Sequence, residues 1–575
     1  MMNTKPLYET RKIVDLRDML YTSAIMYSNK NAFMVKDKPG APYRGISFQQ
    51  FLKDVEALGT AMLAHGFKDQ KIAVIGENRY EWAVAYMAVV CGLGVVVPLD
   101  KELPAEEIQN LVQMAGVETI IYSGKFENIF QSSGMWTSIK NFINMDGIQH
   151  ENNHMAFSKL IGQGNQMIDE GYKGFQELPI DTEVMNMLLY TSGTTSTAKG
   201  VMLSHRNIVS NLMAMATMVY IDSSDIFFSI LPIHHTYECT CGFLLPLYKG
   251  ATIAYCEGLK YILKNMEEAK PTVLLTVPLV IEQMYKKIWK KIEKEGLEKK
   301  VRKAIKLNNS SKKIGIDLSK KLFKKIHQTF GGNIRMFIIG GSAVDPEVML
   351  GLIDLGILTF QGYGLTESSP IVAVNPDIRP IARSAGQIIP GAQVMIVNPN
   401  EEGIGEIITK SDSIMLGYYN NKEATEESIK DGWYYTGDLG YLDSNNYVYI
   451  TGRKKNVIIA KNGKNIYPEE VEFYLGRSKY IEESMVWGKL NDETGETHIY
   501  ASIRPNYEEI EEEFGNDYGE DEVFALIQKE VDLINSQLAY HKKIRKINIK
   551  QDEFIKTTTR KIKRHLEKEK LEEIK

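Results

Sequence analysis

Short apolar runs rich in β-branched residues alternate with amphipathic stretches along the first 340 residues of this chain. The runs are "KIAVIGE" from Lys71, "GVVVPL" from Gly94, "ETIIYS" from Glu118, "ATIAYC" from Ala251, "TVLLTV" from Thr272 and "MFIIGG" from Met336. A strand that is apolar on nearly every residue is covered on both faces, as happens when helices flank a parallel sheet. The alternation therefore predicts an α/β fold with largely parallel sheets. From about residue 380, "AGQIIPGAQVMIVN", "GEIITKSD" and "NNYVYI" read as short antiparallel strands joined by Gly turns. After "ITGRKK" the texture changes again, to a few strands, an acidic run "EEIEEEFGNDYGEDE" and basic terminal helices. A domain boundary is expected near residue 452, and the acidic run is expected to be a solvated loop.

With 575 residues the chain exceeds what one core organises, so two or more domains are the default. A net charge of -5 argues against a dedicated nucleic-acid binder. Cys91, Cys239, Cys241 and Cys256 are too few for a disulfide scaffold and suit a reducing cytosol. The opening "MMNTKPLYETRK" has no apolar core of the secretory kind, so no signal peptide is expected. The uncharged stretch "WAVAYMAVVCGLGVVVPL", 82–99, only just reaches membrane-spanning length, and Gly92, Gly94 and Pro98 punctuate it. It reads as a buried helix, a glycine turn and a core strand.

Residues 281–326 are strongly basic. Ile281, Met284, Tyr285, Ile288 and Ile292 fall at helical spacing with lysines between them, and Leu318, Leu322, Phe323 and Ile326 repeat the pattern. Two surface helices packed by their apolar faces explain this better than contact with an anionic membrane, which stays as the alternative.

The stretch "LLYTSGTTSTAKGVMLSH", 188–205, concentrates hydroxyl side chains, two glycines and one lysine between an apolar run and a capped helix. That composition is suited to cradling phosphate. It is not a Walker A loop: Ala198 precedes Lys199 and Gly200 follows it, so both the spacing and the metal-binding hydroxyl fail. No G-x-G-x-x-G stands at a strand–helix junction, so neither a dinucleotide fold nor a kinase loop is supported. In "LPIHHTYECTCG", the residues His234, His235, Cys239 and Cys241 are zinc-type ligands, but their spacing matches no common structural zinc pattern.

The loop resembles the phosphate-binding loop of AMP-forming acyl-CoA synthetases in the adenylate-forming superfamily, whose pattern is close to Y-T-S-G-T-T-G-x-P-K-G. Here Ser196 stands for a Gly and Ala198 for a Pro. Further segments resemble family motifs in the family's order: "GGSAV" from Gly340, "QGYGLTESSP" from Gln361, "YYTGDLGYLD" around Asp438, "GRKKNVIIAKNGKNIYPEEVE" from Gly452 and "FIKTTTRKIKRH" around Lys561. In the last, Arg560 replaces a usual Gly and Ile555 a usual Pro.

The resemblance implies a large N-terminal AMP-binding domain, 1–451, of two α/β subdomains plus a small β-barrel-like part. A small mobile α+β C-terminal domain, 452–575, would follow it. It implies two half-reactions: a carboxylate attacks the α-phosphate of ATP, and the thiol of coenzyme A then displaces AMP. Thr191, Ser192, Gly193, Thr194, Thr195 and Lys199 would hold the phosphates, and Glu367 with Thr191 would hold Mg2+. Thr366 would contact phosphate. Tyr363 would stack on adenine, with Gly340, Gly341, Ser342, Gln361, Gly362 and Gly364 around it. Asp438 would accept from the ribose hydroxyls, assisted by Arg453. His235 would lie beside the acyl carboxylate, Lys561 would be the catalytic lysine, Lys455 the hinge, and Gly463 would approach the coenzyme A thiol.

The basic insertion and "LPIHHTYE" resemble long-chain fatty acyl-CoA synthetases, so a long-chain fatty acid is the expected substrate. A medium-chain or aryl acid is the next choice, and a carrier protein is an alternative acceptor. The chain is expected in the cytoplasm, with peripheral contact at the inner membrane surface as a further reading.

Overall fold

The computed structural model of the chain describes residues 4–131, 134–148, 153–191, 198–460, 464–490, 496–515, 518–557 and 562–573. Two large sheets carry most of it. In the first, Leu358–Gly364, Met336–Ile339, Val273–Thr276, Ile226–Ser229, Thr252–Tyr255 and Asn31–Val35 lie side by side and parallel. In the second, Gly94–Leu99, Gln70–Ile75, Thr119–Tyr122, Asn141–Asn144 and His154–Ala156 are parallel. Every residue of Thr119–Tyr122, Thr252–Tyr255 and Val273–Thr276 is buried, as the unbroken apolar runs required.

The uncharged stretch 82–99 folds as expected. The buried helix Tyr80–Ala88 runs into a wide turn, Val89–Leu93, and then into the strand Gly94–Leu99. Gly92 takes φ +130°, a conformation L side chains rarely adopt, and a side chain at Gly94 would meet the Gln70 carbonyl at 2.1 Å. Among the described residues no helix is long and apolar enough to cross a membrane.

Leu358–Gly364 is the seam of the first sheet. One edge pairs in parallel, and the other pairs antiparallel with Ile371–Val374. The sheet then continues through Gly386–Ile388, Tyr447–Arg453, Trp433–Leu442, Gly405–Lys410 and Gln393–Val397, all antiparallel. This part has a small core of its own around Tyr363, Ile388, Ile407 and Val448. The barrel-like part is thus bonded directly to the edge of the parallel sheet.

A separate apolar core begins at Ile458 and ends at Ile547. It lies between the sheet Ile481–Leu490, Thr497–Pro505, Ile544–Ile549 and the helices Pro468–Leu475 and Glu520–Gln537, an α+β arrangement.

The basic stretch packs by its apolar face. Ile281 and Ile292 are buried, and Met284, Tyr285, Ile288 and Ile326 lie against the main core, while Leu322 stays exposed. The acidic run departs from expectation, because its first half is the helix Tyr507–Phe514 with Ile510 buried. Lys290 lies 2.9 Å from Glu509, and Lys294 lies 3.0 Å from Glu512. Opposite charge on the basic helix and one apolar anchor order a segment whose composition alone reads as solvated.

Candidate nucleotide site

The hydroxyl-rich loop is carried by a hairpin. Met187–Thr191 pairs antiparallel with Lys199–Leu203, so that Thr191 faces Lys199 at its open end. The Thr191 hydroxyl donates to the Lys199 carbonyl at 3.4 Å. Ser192, Gly193, Thr194 and Thr195 lie outside the described residues. The helix after the hairpin, His205–Ala216, is fixed by reciprocal bonds: the Asn207 N–H donates to Ser204 Oγ, and the Ser204 N–H donates to Asn207 Oδ1.

Lys199 extends over the ring of Tyr418, its Nζ 4.7 Å from the centroid. Tyr418 arrives there because Gly417–Tyr418 adds to the edge of the hairpin, opposite Met202 and Val201. Its hydroxyl donates to Glu367 Oε1 at 2.9 Å. Burial and then the Glu367 charge hold that hydroxyl well above the usual tyrosine range. Glu367 stands in the turn Thr366–Ser368, directly after Gly364, whose bare Cα lets the Pro370 carbonyl come within 1.9 Å of where a Cβ would sit. Thr191, Lys199, Thr366 and Glu367 are therefore gathered at one place, with Tyr418 as the link.

A second group adjoins this one. Asp438 and Arg453 face each other on the paired strands Trp433–Leu442 and Tyr447–Arg453. Arg453 Nε lies 2.8 Å from Asp438 Oδ1, and the Tyr363 hydroxyl donates to Oδ2 at 2.7 Å. The Asp438 side chain is 5% exposed and that of Arg453 44%. Burial lowers the Arg453 pKa, but the charges of Asp438, then Tyr363 and Glu367, outweigh it and the net shift is upward. Tyr434 joins the two groups: its hydroxyl is 3.5 Å from that of Tyr418, and burial, then Glu367, raise its pKa far above normal.

Gln361 commits its side-chain amide to neighbouring backbone. Its Oε1 accepts from the Val344 N–H, and both Nε2 hydrogens go to the carbonyls of Ala382 and Ser384. It fixes the turn that begins at Gly340, where the Tyr237 ring would lie 2.8 Å from an added Cβ. Gly341 has φ +89°, and Ser342 is exposed. Gly362 is half-buried at the seam.

His235 is half-buried beside His234, ring centroids 4.1 Å apart. Cys239 and Cys241 turn into the core, where Cys241 Sγ lies 3.7 Å from Met215 Sδ. Lys455 is exposed in the turn Lys454–Asn456, whose neighbours bond Glu406 at 2.7 Å and Glu469 at 2.6 Å. Gly463 and Lys561 lie outside the described residues. The segment before Lys561 is pinned: Lys556 bridges Ile562, and the buried Glu567 accepts from the Ile555 N–H at 2.6 Å.

The fold is shared with CoA ligases of known structure. It superposes on the anthranilate CoA ligase AuaEII in complex with anthranoyl-AMP with a TM-score of 0.76, covering 98% of both chains at 19% identity. Residues 22–419 match the family described as AMP-binding enzyme, and the chain belongs to that family. It is 27% identical over 534 residues to long-chain-fatty-acid–CoA ligase 1 of Cavia porcellus, covering 85% of this chain and 74% of the relative. It is 26% identical to fatty acyl-CoA synthetase B of Dictyostelium discoideum, covering 88% and 79%.

Tyr418 lies outside the sequence motifs, and Tyr434, the first residue of "YYTGDLGYLD", has no role read from it. Their positions follow from strand pairing with segments more than two hundred residues away, or within a neighbouring strand, and no local spacing announces it.

Proposed function

We propose that the chain activates a long-chain fatty acid with ATP to an acyl-adenylate and pyrophosphate, then passes the acyl group to coenzyme A. The observation that carries this reading is the convergence of Lys199, Thr191 and Glu367 through Tyr418, beside the Asp438–Arg453 pair. In the first step a carboxylate oxygen bonds the α-phosphorus and the bond to the pyrophosphate oxygen breaks. Both reactants are anionic, so positioned positive charge is what the site must provide. Lys199, held over an aromatic face, supplies it at the phosphate loop. The half-buried carboxylate of Glu367 and the hydroxyl of Thr191 are hard oxygen donors, which fit Mg2+. Bound there, that ion would screen phosphate charge. Asp438 already spends both oxygens on Tyr363 and Arg453, so ribose hydroxyls would share its remaining lone pairs.

Coenzyme A is preferred as acceptor because the relatives named above are CoA ligases; a carrier protein is the alternative. Residues 1–451 would form the adenylating body and 452–575 the lid that brings Lys561 to the first step. The fatty acid would reach the enzyme at a cytoplasmic membrane surface. The test is pyrophosphate exchange into ATP over a panel of short, medium, long-chain and aryl acids, followed by thioester formation with coenzyme A or an acyl carrier protein. Exchange that depends on long-chain acids, with transfer to coenzyme A, is the expected result. Exchange only with aryl or short acids, or transfer only to the carrier, would replace this reading.

A further inference from the structure

The end of Gly94–Leu99 and the loop before Tyr237–Leu244 bring three metal-type ligands together. Asp100, His234 and His235 present donor atoms that all lie within 4.8 Å of one another. The loop is pinned there by Asn78, which donates to the Leu231 carbonyl at 2.7 Å and accepts from the Ile233 N–H at 3.2 Å. Asp100 is oriented too: its Oδ1 accepts from the Glu102 N–H at 2.9 Å, and its Oδ2 lies 3.5 Å from His234 Nε2. That nitrogen is buried and has no hydrogen-bond partner among the described residues, in a side chain only 9% exposed.

A buried ring nitrogen without a partner asks for one. The 3.5 Å separation is longer than a good hydrogen bond, but it is close to the spacing of two ligands on one tetrahedral ion. With metal–ligand distances of about 2.0–2.2 Å, that spacing is about 3.3–3.6 Å. Cys239 and Cys241 do not take part: both are buried, neither sulfur belongs to the cluster, and Cys241 Sγ lies 3.7 Å from Met215 Sδ. Two imidazoles and one carboxylate suit zinc-class ions rather than magnesium or calcium.

We propose that Asp100, His234 and His235 bind one divalent transition-metal ion of the zinc class, leaving at least one coordination position open. One carboxylate and two neutral imidazoles leave the bound ion a net positive charge. The bond that the Glu102 N–H donates to Asp100 Oδ1 is of the kind that orients ligating carboxylates. His235 is also the residue that the resemblance places beside the acyl carboxylate, so the inference is tested by metal binding and not by ligase activity.

The full chain, stripped of metal with a chelator, is titrated with Co2+ while its visible absorption is followed, and Zn2+ is then added in competition. One equivalent of Co2+ should give visible d–d bands, and Zn2+ should abolish them. His234→Gln and Asp100→Asn should each weaken Co2+ binding by about tenfold or more, the lower range for losing a single ligand-shell group. A Cys239→Ala, Cys241→Ala double variant should bind as the wild type does. Circular dichroism and melting identify any variant that fails to fold, and His235→Gln then serves in its place. Absence of bands in the wild type, unchanged affinity in the ligand variants, or bands lost with the cysteines would each overturn the proposal.

Discussion

Tyr418 is the residue on which the phosphate end of the site turns, because one side chain serves two charges. Its ring faces the Lys199 ammonium and its hydroxyl donates to Glu367. Tyr418→Phe keeps the ring and removes only the hydroxyl. A hydrogen bond to a charged group contributes roughly 1.5–3 kcal/mol, and Glu367 is half-buried, so the lower end applies. The expected outcome is about a tenfold higher Mg2+ requirement for pyrophosphate exchange, read from a Mg2+ titration, with little change in melting temperature. An unchanged titration would remove Tyr418 from the site. Lys199 was legible from the hydroxyl- and glycine-rich composition of its loop, whereas Glu367, Asp438 and Arg453 were legible only through the resemblance of their motifs. Tyr418 was not, because a tyrosine beside a glycine reads like any strand residue until its pairing partner is known. Gln361 illustrates the opposite limit: its motif is visible, but only the structure shows that its amide is committed to the backbone of Val344, Ala382 and Ser384.

Among the elements, the wide helical turn Tyr237–Leu244 carries an unusual group. Glu238 is buried, its Oε1 accepts from Ser229 Oγ at 2.6 Å, and its Oε2 has no hydrogen-bond partner among the described residues. Burial raises its pKa from 4.5 to about 8. Between those two values the folded chain keeps a proton that the unfolded chain has released. Stability from this group is therefore present below pH 4.5 and declines as pH rises towards 8, by up to roughly 1.4 kcal/mol per pH unit. Glu238→Gln should melt at a more nearly equal temperature at pH 5 and pH 8 than the wild type does. Parallel behaviour of the two proteins would contradict the burial argument. The basic helix Pro278–Lys294 makes the second element-scale expectation. Lys286, Lys287 and Lys291 are exposed, whereas Lys290 and Lys294 are paired with the acidic helix. Cosedimentation with anionic vesicles should exceed that with neutral ones at low salt, rise in a Glu509→Gln, Glu512→Gln variant and fall at high salt. Equal binding to both vesicle types would exclude the electrostatic contact. The strands of the parallel sheets were legible because burial on both faces leaves a composition that few other environments produce. The helix Tyr507–Phe514 was not, because its charge partners lie on a different element.

At the scale of the molecule, two apolar cores meet across polar contacts. Arg477 bonds Glu347 at 2.9 Å, and Lys290 bonds Glu509 at 2.9 Å, each joining the body to the unit that begins near Ile458. Such partly exposed pairs contribute about 0–1 kcal/mol each. The change of texture led to a boundary expected near residue 452, but the contacts between the two cores were not legible, since they join distant charges of ordinary composition. The account holds that Lys561 serves acyl-AMP formation and not the transfer to coenzyme A. Its ammonium can offset charge that builds as carboxylate meets phosphate, whereas the thiol attacks an anhydride already made. The direct measurement is both half-reactions on purified Lys561→Ala: pyrophosphate exchange with a long-chain acid, and thioester formation from supplied acyl-AMP and coenzyme A. Exchange should fall by roughly a hundredfold or more, the scale of one preorganised electrostatic contact, while thioester formation stays near the wild-type rate. Equal loss of both steps, or loss of neither, would contradict it.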